Sequence, residues 1–344
     1  MNDKEGIPGA CSCMTLTSKT GKHYWFRTCD IDTDIWRDGA HVVQQVAGKI
    51  IEYGNNKKEI SRYSFTGMTY NIQDTWLLDG VNEYGLTGGL LMLYEGTSVE
   101  KAEESKEGYI GMELVTKVLS SCRSVEEVIT LAEQIQVLDI PFKNKKMPAT
   151  MHYFFVDRSG NEVILEATDL QNPGILRIFR KNEILGVMTN SPAYEEQVQN
   201  LTWFLSRSPE LKQRANGQEL VLDGRSIKAD ENANHLSLTG TFPASYSSYD
   251  RFIRLTVLKA LNDSGNDFED EKMLALGSGI MNAVCEPRTK GVFHYRRVEE
   301  DGAVIGQKDS YTQYVSMYDI EKKCFYMKKF DEVKWERHQI ERKS

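Results

Sequence analysis

Residues 9–32 constrain the fold more than any other stretch. Cys11-Ser12-Cys13-Met14-Thr15-Leu16-Thr17 and His23-Tyr24-Trp25-Phe26-Arg27-Thr28-Cys29-Asp30-Ile31-Asp32 are two short runs rich in Thr and aromatic residues, a composition that fits a pleated strand. Between them, Ser18-Lys19-Thr20-Gly21-Lys22 is polar and carries glycine where a turn needs positive φ, so the runs are predicted to close as an antiparallel β-hairpin. Such a hairpin returns Arg27 and Asp30 to the side of Cys11. Strand-like runs continue over Val42–Val46, Lys49–Tyr53, Arg62–Tyr70, Leu78–Tyr94, Met151–Asp157 with Glu162–Glu166, Leu176–Phe179 with Ile184–Met188, Val292–Arg297, Tyr311–Tyr318 and Cys324–Lys328.

Helical patterns interrupt them. Met112, Val115, Val118 and Leu119 form one apolar stripe, and Ser124-Val125-Glu126-Glu127 is a capping box that opens a second helix with Val128, Leu131 and Ile135 on one face. Further helical segments are expected after Pro192, around Phe252, Leu255 and Leu258, and over Met273–Cys285. The charged stretch 97–108 reads as an exposed loop, and 206–235 as a polar excursion used in subunit contacts. From pattern alone the chain is mixed α and β with much antiparallel strand.

The hairpin also groups reactive side chains. A thiol with an ordinary pKa near ~8.5 is mostly protonated at neutral pH and needs a base or a cation to act as thiolate. Were the Ala10–Cys11 bond cut, Cys11 would carry an α-amine of pKa roughly 7.7–8.0, a base on the nucleophile's own residue. Asp30 would orient that amine and Arg27 would stabilise the thiolate. Small Gly9 and Ala10 leave room for the thiol to attack the Ala10 carbonyl and cut its own chain. The plain alternative is a buried strand cysteine beside a surface Arg27–Asp30 pair, and these residues alone leave both open.

Two later segments share the character of a site. Asp79-Gly80-Val81-Asn82-Glu83-Tyr84-Gly85-Leu86 joins a tight turn to an apolar strand ending near Met92, and Thr189-Asn190-Ser191-Pro192 ends a strand with an Asn able to aim its amide into a cleft.

Taken together, Cys11, Leu16, Gly21, Arg27 and Asp30, the Asp79-to-Leu86 run, Asn190, the Asp250-Arg251-Phe252-Ile253-Arg254 segment and Thr312-Gln313-Tyr314 resemble, in order and spacing, the choloylglycine hydrolase and penicillin V acylase family of N-terminal-nucleophile amidases. The resemblance implies an α+β fold, a four-layer αββα sandwich of mainly antiparallel sheets, covering nearly the whole chain. It implies residues 1–10 as a propeptide removed by self-cleavage and 11–344 as a single domain. The catalytic set it implies is Cys11, Arg27, Asp30, Asn190 and Arg251, with the Met92 N–H joining Asn190 in an oxyanion hole. Asp250 replaces the family's Ser and would partly neutralise Arg251, while Arg254 would be structural. Met92 stands where bile-salt hydrolases carry Asn and penicillin V acylases carry Tyr, which points to an apolar acyl group. The implied function is hydrolysis of a linear amide bond in a small-molecule substrate (a bile-salt conjugate, penicillin V or an N-acyl amino acid) through an acyl-enzyme, with no metal or organic cofactor and a homotetrameric assembly. The alternatives are acyl transfer from the same site, or an unprocessed, inactive binding relative.

Composition excludes other classes. The net charge of −8 argues against nucleic acid as a partner, and no apolar run approaches the roughly 18 residues needed to span a bilayer. Met1–Pro8 lacks a basic and an apolar region, so a signal peptide is not expected and a cytoplasmic protein is. The six scattered cysteines are expected as free thiols, and only Cys11-x-Cys13 approaches metal-ligand spacing.

Overall fold

A computed structural model describes residues 10–32, 34–70, 74–139, 150–207, 220–222, 225–227, 243–263, 268–288, 294–298 and 304–340. Thirteen strands form its two large sheets. In chain order they are β1 (Ser12–Thr17), β2 (His23–Ile31), β3 (His41–Gln45), β4 (Phe65–Thr69), β5 (Leu77–Asn82), β6 (Thr87–Met92), β7 (Met151–Val156), β8 (Glu162–Glu166), β9 (Arg177–Arg180), β10 (Val187–Thr189), β11 (Tyr311–Asp319), β12 (Cys324–Lys329) and β13 (Glu336–Gln339). The first sheet runs β10-β1-β2-β11-β12-β13 and the second β9-β8-β7-β6-β5-β4-β3, every pairing antiparallel. Among the described residues, five α-helices flank them: α1 (Leu114–Ser121), α2 (Val125–Ala132), α3 (Tyr194–Arg207), α4 (Ser248–Asp263) and α5 (Asp270–Asn282).

The layering follows from which faces the strands bury. On β2, Phe26 meets α5 so closely that a Cβ on Gly277 would fall 2.1 Å from its ring, whereas its neighbour Trp25 points the other way, where a Cβ on Gly89 of β6 would lie 2.9 Å from the indole. On the far side of the second sheet, a Cβ on Gly80 of β5 would meet Leu119 of α1 at 2.8 Å. Helices α4 and α5 therefore cover the first sheet, α1 and α2 the second, and the sheets face each other: a four-layer αββα sandwich. Central strands are buried on both faces, as in Ser12–Leu16 and Tyr24–Ile31, so apolar alternation is lost there.

The first hairpin forms as predicted, with Gly21 at φ 82° in its turn. Open space surrounds Gly21, so the backbone angle and not packing is what requires glycine. Ser124 caps α2 by accepting the Glu127 N–H.

Three expectations are corrected. Ile135 is not on α2; it opens a strand, Ile135–Leu138, that pairs in parallel with Glu107–Ile110, which in turn replaces the end of the loop expected over 97–108. Leu176–Phe179 and Ile184–Met188 do not pair with each other. The first region forms β9 against β8 and the second forms β10 against β1, so the chain crosses between sheets there and delivers Asn190 to the end of β1. The expectations for residues 1–9 and for most of 206–235 lie outside the described residues. Among the described residues no helix is long and apolar enough to cross a membrane.

Candidate active site

Strand β1 begins at Ser12, and Cys11 stands one residue before it, where the ends of β10, β2 and β6 converge. The ladder extends past the strand, since Ala10 donates its N–H to the Asp30 carbonyl at 2.8 Å. With Ser12 opposite Thr28 and Cys13 opposite Arg27, side chains sort by parity. Cys11, Cys13, Arg27 and Cys29 face the second sheet; Ser12, Thr28 and Asp30 face α4 and α5.

On the inner face, Arg27 is the hub. Its Nη2 donates to Cys11 Sγ at 3.4 Å, and its Nη1 donates to the Leu78 carbonyl and to Asp79 Oδ2, the latter at 3.1 Å. Arg27 and Asp79 are 1% and 0% exposed, so this ion pair between the sheets lies beyond water's reach. Asp79 remains a tolerable buried carboxylate because Tyr314 at 2.5 Å, Ser316 at 3.2 Å and Tyr318 also donate to it.

Three thiols share this face, and their environments push them apart. Cys11 is lowered to about 5: the hydrogen bond from the Cys29 thiol is the largest cause, burial opposes it, and the Arg27 charge and the Asp30 backbone N–H add to the lowering. Burial drives Cys13 and Cys29 well above the ordinary thiol range. One thiolate at neutral pH is thus selected from three cysteines.

On the outer face, the Asp30 carboxyl accepts from Thr28 Oγ1 at 2.7 Å and from Thr312 Oγ1. Burial, then Glu286, raise its pKa well above the usual range, while Arg251 works the other way. Arg251 enters from the first turn of α4. Its Nη1 donates to the Cys11 carbonyl and to Ser12 Oγ, each at 2.6 Å, its Nη2 to Asn190 Oδ1 at 3.3 Å, and its Nε to the Tyr246 carbonyl at 3.0 Å. Asp250, read from sequence as neutralising Arg251, instead accepts the Ser245 N–H at 2.9 Å. Arg254 stays apart, bound to the Pro243 and Ser245 carbonyls.

Asn190 directly follows β10, just before a cis Ser191–Pro192 bond. Its Nδ2 donates to the Met92 carbonyl at 3.2 Å, and the Ser191 N–H donates to that same carbonyl at 3.3 Å, tying the two sheets together at the site. Gln197 Nε2 at 2.7 Å and Ser248 Oγ at 2.8 Å hold the Asn190 carbonyl from α3 and α4.

Cys11, Arg27, Asp30, Asn190 and Arg251, spread over some 240 positions of sequence, thus meet in one constellation, linked directly by hydrogen bonds except for Asp30, which adjoins through the Ala10 ladder and its backbone N–H to Cys11. Met92 meets it through its carbonyl. Sequence reasoning missed Cys29 as the thiol facing Cys11, Asp79 as the partner of Arg27, and Gln197, Ser248 and Glu286 as supports. Two of these left signals: the hairpin register places residue 29 opposite residue 11, and an Asp within the apolar run Leu77-Leu78-Asp79-Gly80-Val81 asks for a buried cation. Chemically, the arrangement holds a thiolate beside a guanidinium with an amide donor and a second guanidinium at hand, the needs of nucleophilic attack on a carbonyl.

The family model for linear amide C–N hydrolases, choloylglycine hydrolase family, matches residues 11–343. A bile salt hydrolase/transferase from Clostridium perfringens is 27% identical over 330 residues, covering 93% of this chain and 89% of that protein. Among solved structures, a conjugated bile acid hydrolase from Clostridium perfringens superposes with a TM-score of 0.72 at 23% identity, over 96% of this chain and 92% of the other. A penicillin V acylase from Agrobacterium tumefaciens does so with a TM-score of 0.64 at 19% identity, over 93% and 83%. At these identities the two structures establish the shared fold.

Proposed function

The chain belongs to the choloylglycine hydrolase family of linear amide C–N hydrolases, and within that family we propose that it is a cysteine N-terminal-nucleophile amidase whose Cys11 is freed by self-removal of residues 1–10. The observation that carries this reading is the Cys11 thiolate: lowered to about 5 while the Ala10–Cys11 bond is intact, it needs no α-amine to ionise. The precursor therefore already has the nucleophile that its own cleavage demands.

In self-cleavage, Cys11 Sγ attacks the Ala10 carbonyl, the C–N bond breaks as the nitrogen takes a proton, and water hydrolyses the resulting thioester. Asp30, whose carbonyl holds the adjacent Ala10 N–H, is the group that orients the new α-amine. In turnover, the thiolate attacks the substrate amide carbon, and the oxyanion is held by Asn190 Nδ2 with the Met92 N–H. The α-ammonium, with a pKa of roughly 7.7–8.0, gives its proton to the departing amine, and the amine so formed takes a proton from the water that then releases the acid from the acyl-enzyme. Arg251 fixes the Cys11 carbonyl and the Asn190 amide against each other.

The substrate class is an acyl amide of the bile-salt-conjugate, penicillin V or N-acyl amino acid type, with the Met92 thioether favouring an apolar acyl chain. Because the curated relatives carry the name hydrolase/transferase, an added amine is expected to compete with water for the thioester. The test is release of free amine from taurine and glycine conjugates, penicillin V and N-acyl amino acids by the purified protein, with Cys11→Ala as control. No release from any of them, or equal release by Cys11→Ala, overturns the reading.

A further inference from the structure

The inner face of the hairpin carries a second reactive arrangement, independent of substrate. In an antiparallel ladder, hydrogen-bonded and non-hydrogen-bonded pairs alternate. Ala10 donates to the Asp30 carbonyl at one end and Ser18 to the Lys22 carbonyl at the other, and Ser12 lies opposite Thr28. Even-numbered residues therefore occupy the hydrogen-bonded pairs, and Cys11 faces Cys29 as a non-hydrogen-bonded pair. At such positions the Cα atoms stand about 4.5 Å apart and the side chains approach most closely, which lies within the Cα range of about 4.4–6.8 Å that a disulfide spans. Both residues are buried free thiols, and the Cys29 thiol is the largest influence lowering the Cys11 pKa. Cys13 shares the face but sits two residues along the same extended strand, at the outer limit of about 6.8 Å for a bridge to Cys11.

We propose that Cys11 and Cys29 form a reversible disulfide when the protein meets a hydroperoxide, which silences the nucleophile and protects it from irreversible oxidation. The silencing rests on the reading of Cys11 as nucleophile; the bond itself does not. In the first step the Cys11 thiolate attacks one peroxide oxygen, the O–O bond breaks, and Cys11 becomes a sulfenic acid while the other oxygen leaves as water with a proton from solvent. In the second, the Cys29 sulfur attacks the sulfenic sulfur, the S–O bond breaks, and the hydroxyl leaves as water with the Cys29 proton. Two cysteines lose two electrons and the peroxide gains them. Burial is the largest cause that holds Cys29 above the ordinary thiol range and the Cys11 thiolate adds to it, so oxidation of Cys11 removes one of the influences opposing ionisation of the second thiol. Thiol reductants reverse the bond, whereas a sulfenic acid with no partner proceeds to sulfinic acid, which they do not reduce.

The test exposes the purified protein to hydrogen peroxide, blocks remaining thiols, digests it with trypsin without reductant and maps the peptides by mass spectrometry. Cleavage after Lys19, Lys22 and Arg27 puts Cys29 on a separate peptide, and fragmentation distinguishes Cys11 from Cys13. The expected result is a Cys11–Cys29 link, lighter by two hydrogens than the paired thiols, that dithiothreitol removes with most of the amidase activity returning. In Cys29→Ser, with Cys29→Ala as a second variant, Cys11 should end as sulfinic acid and the activity of each variant, relative to its own untreated sample, should not return. Cys11 sulfinic acid with Cys29 still reduced in the wild type, a link made through Cys13, or no oxidation at all each overturns the proposal without need of a variant. A Cys11–Cys29 link that leaves amidase activity intact would instead overturn the nucleophile reading and keep the disulfide.

Discussion

Cys11, Cys13 and Cys29 lie on one face, yet only Cys11 is lowered toward thiolate, by the Cys29 thiol first, then by Arg27, whose Nη2 reaches its sulfur, and by the Asp30 backbone. Alkylation reports this directly. In the folded protein the rate at Cys11 should rise through a midpoint of about 5 and be flat by neutral pH, whereas in the unfolded chain it should rise near ~8.5. The sign is that of an acid favoured in its charged form, so Cys29→Ala, which removes the largest lowering cause, should move the folded midpoint upward. A midpoint unchanged in that variant would mean that Arg27 and the Asp30 backbone set it without Cys29. Asp79→Asn addresses the other end of the hub: it leaves the Arg27 charge buried without its partner and should cost about 3–5 kcal/mol, read as a lower denaturant midpoint. Asn190→Ala should lower kcat about 10²–10³-fold with the fold intact. That Cys11, Arg27, Asp30, Asn190 and Arg251 lie together was anticipated only through motif positions that resemble the family's, since the residues alone left the plain reading open. Asp79 and Cys29 escaped because their roles exist only across a pairing.

Elements were legible where pattern and turn chemistry agreed. The first hairpin, the β7–β8 hairpin and the Ser124 cap all follow from Gly, Asn and Ser placement beside strand or helix composition. Ile135 was misread because Val128, Leu131 and Ile135 keep helical spacing, while Gln134 donates back to the Leu131 carbonyl and the chain then leaves as a strand. The β9 and β10 regions were misread as partners because adjacent strands usually pair, and nothing local signals that this connection crosses from one sheet to the other. Close strand approach makes a further prediction. A Cβ on Gly88 of β6 would fall 2.3 Å from the Phe154 carbonyl of β7, so Gly88→Ala should destabilise by about 1–3 kcal/mol. Gly279→Ala, with open space around it, should be neutral or stabilising by up to about 1 kcal/mol, and the pair of denaturation curves checks the contrast.

At the scale of the molecule, the catalytic constellation is a product of layering. Arg27 reaches Asp79 only because the two sheets face each other, and Arg251 reaches the Cys11 carbonyl only because α4 covers the outer face. The sequence pattern indicated α and β content and antiparallel strands, but not four layers, since a sheet buried on both sides shows no alternation to count; the layering was anticipated through family resemblance. That resemblance also suggests a tetramer, which predicts a native mass about four times the 39.3 kDa subunit by light scattering. The central claim is that Cys11 is a self-exposing nucleophile, and the intact mass of the purified protein tests it most directly. The account predicts loss of Met1 through Ala10 in the wild type and the full-length mass in Cys11→Ala. A wild-type protein that keeps residues 1–10 yet hydrolyses amides, or a Cys11→Ala variant that is processed equally well, would contradict it.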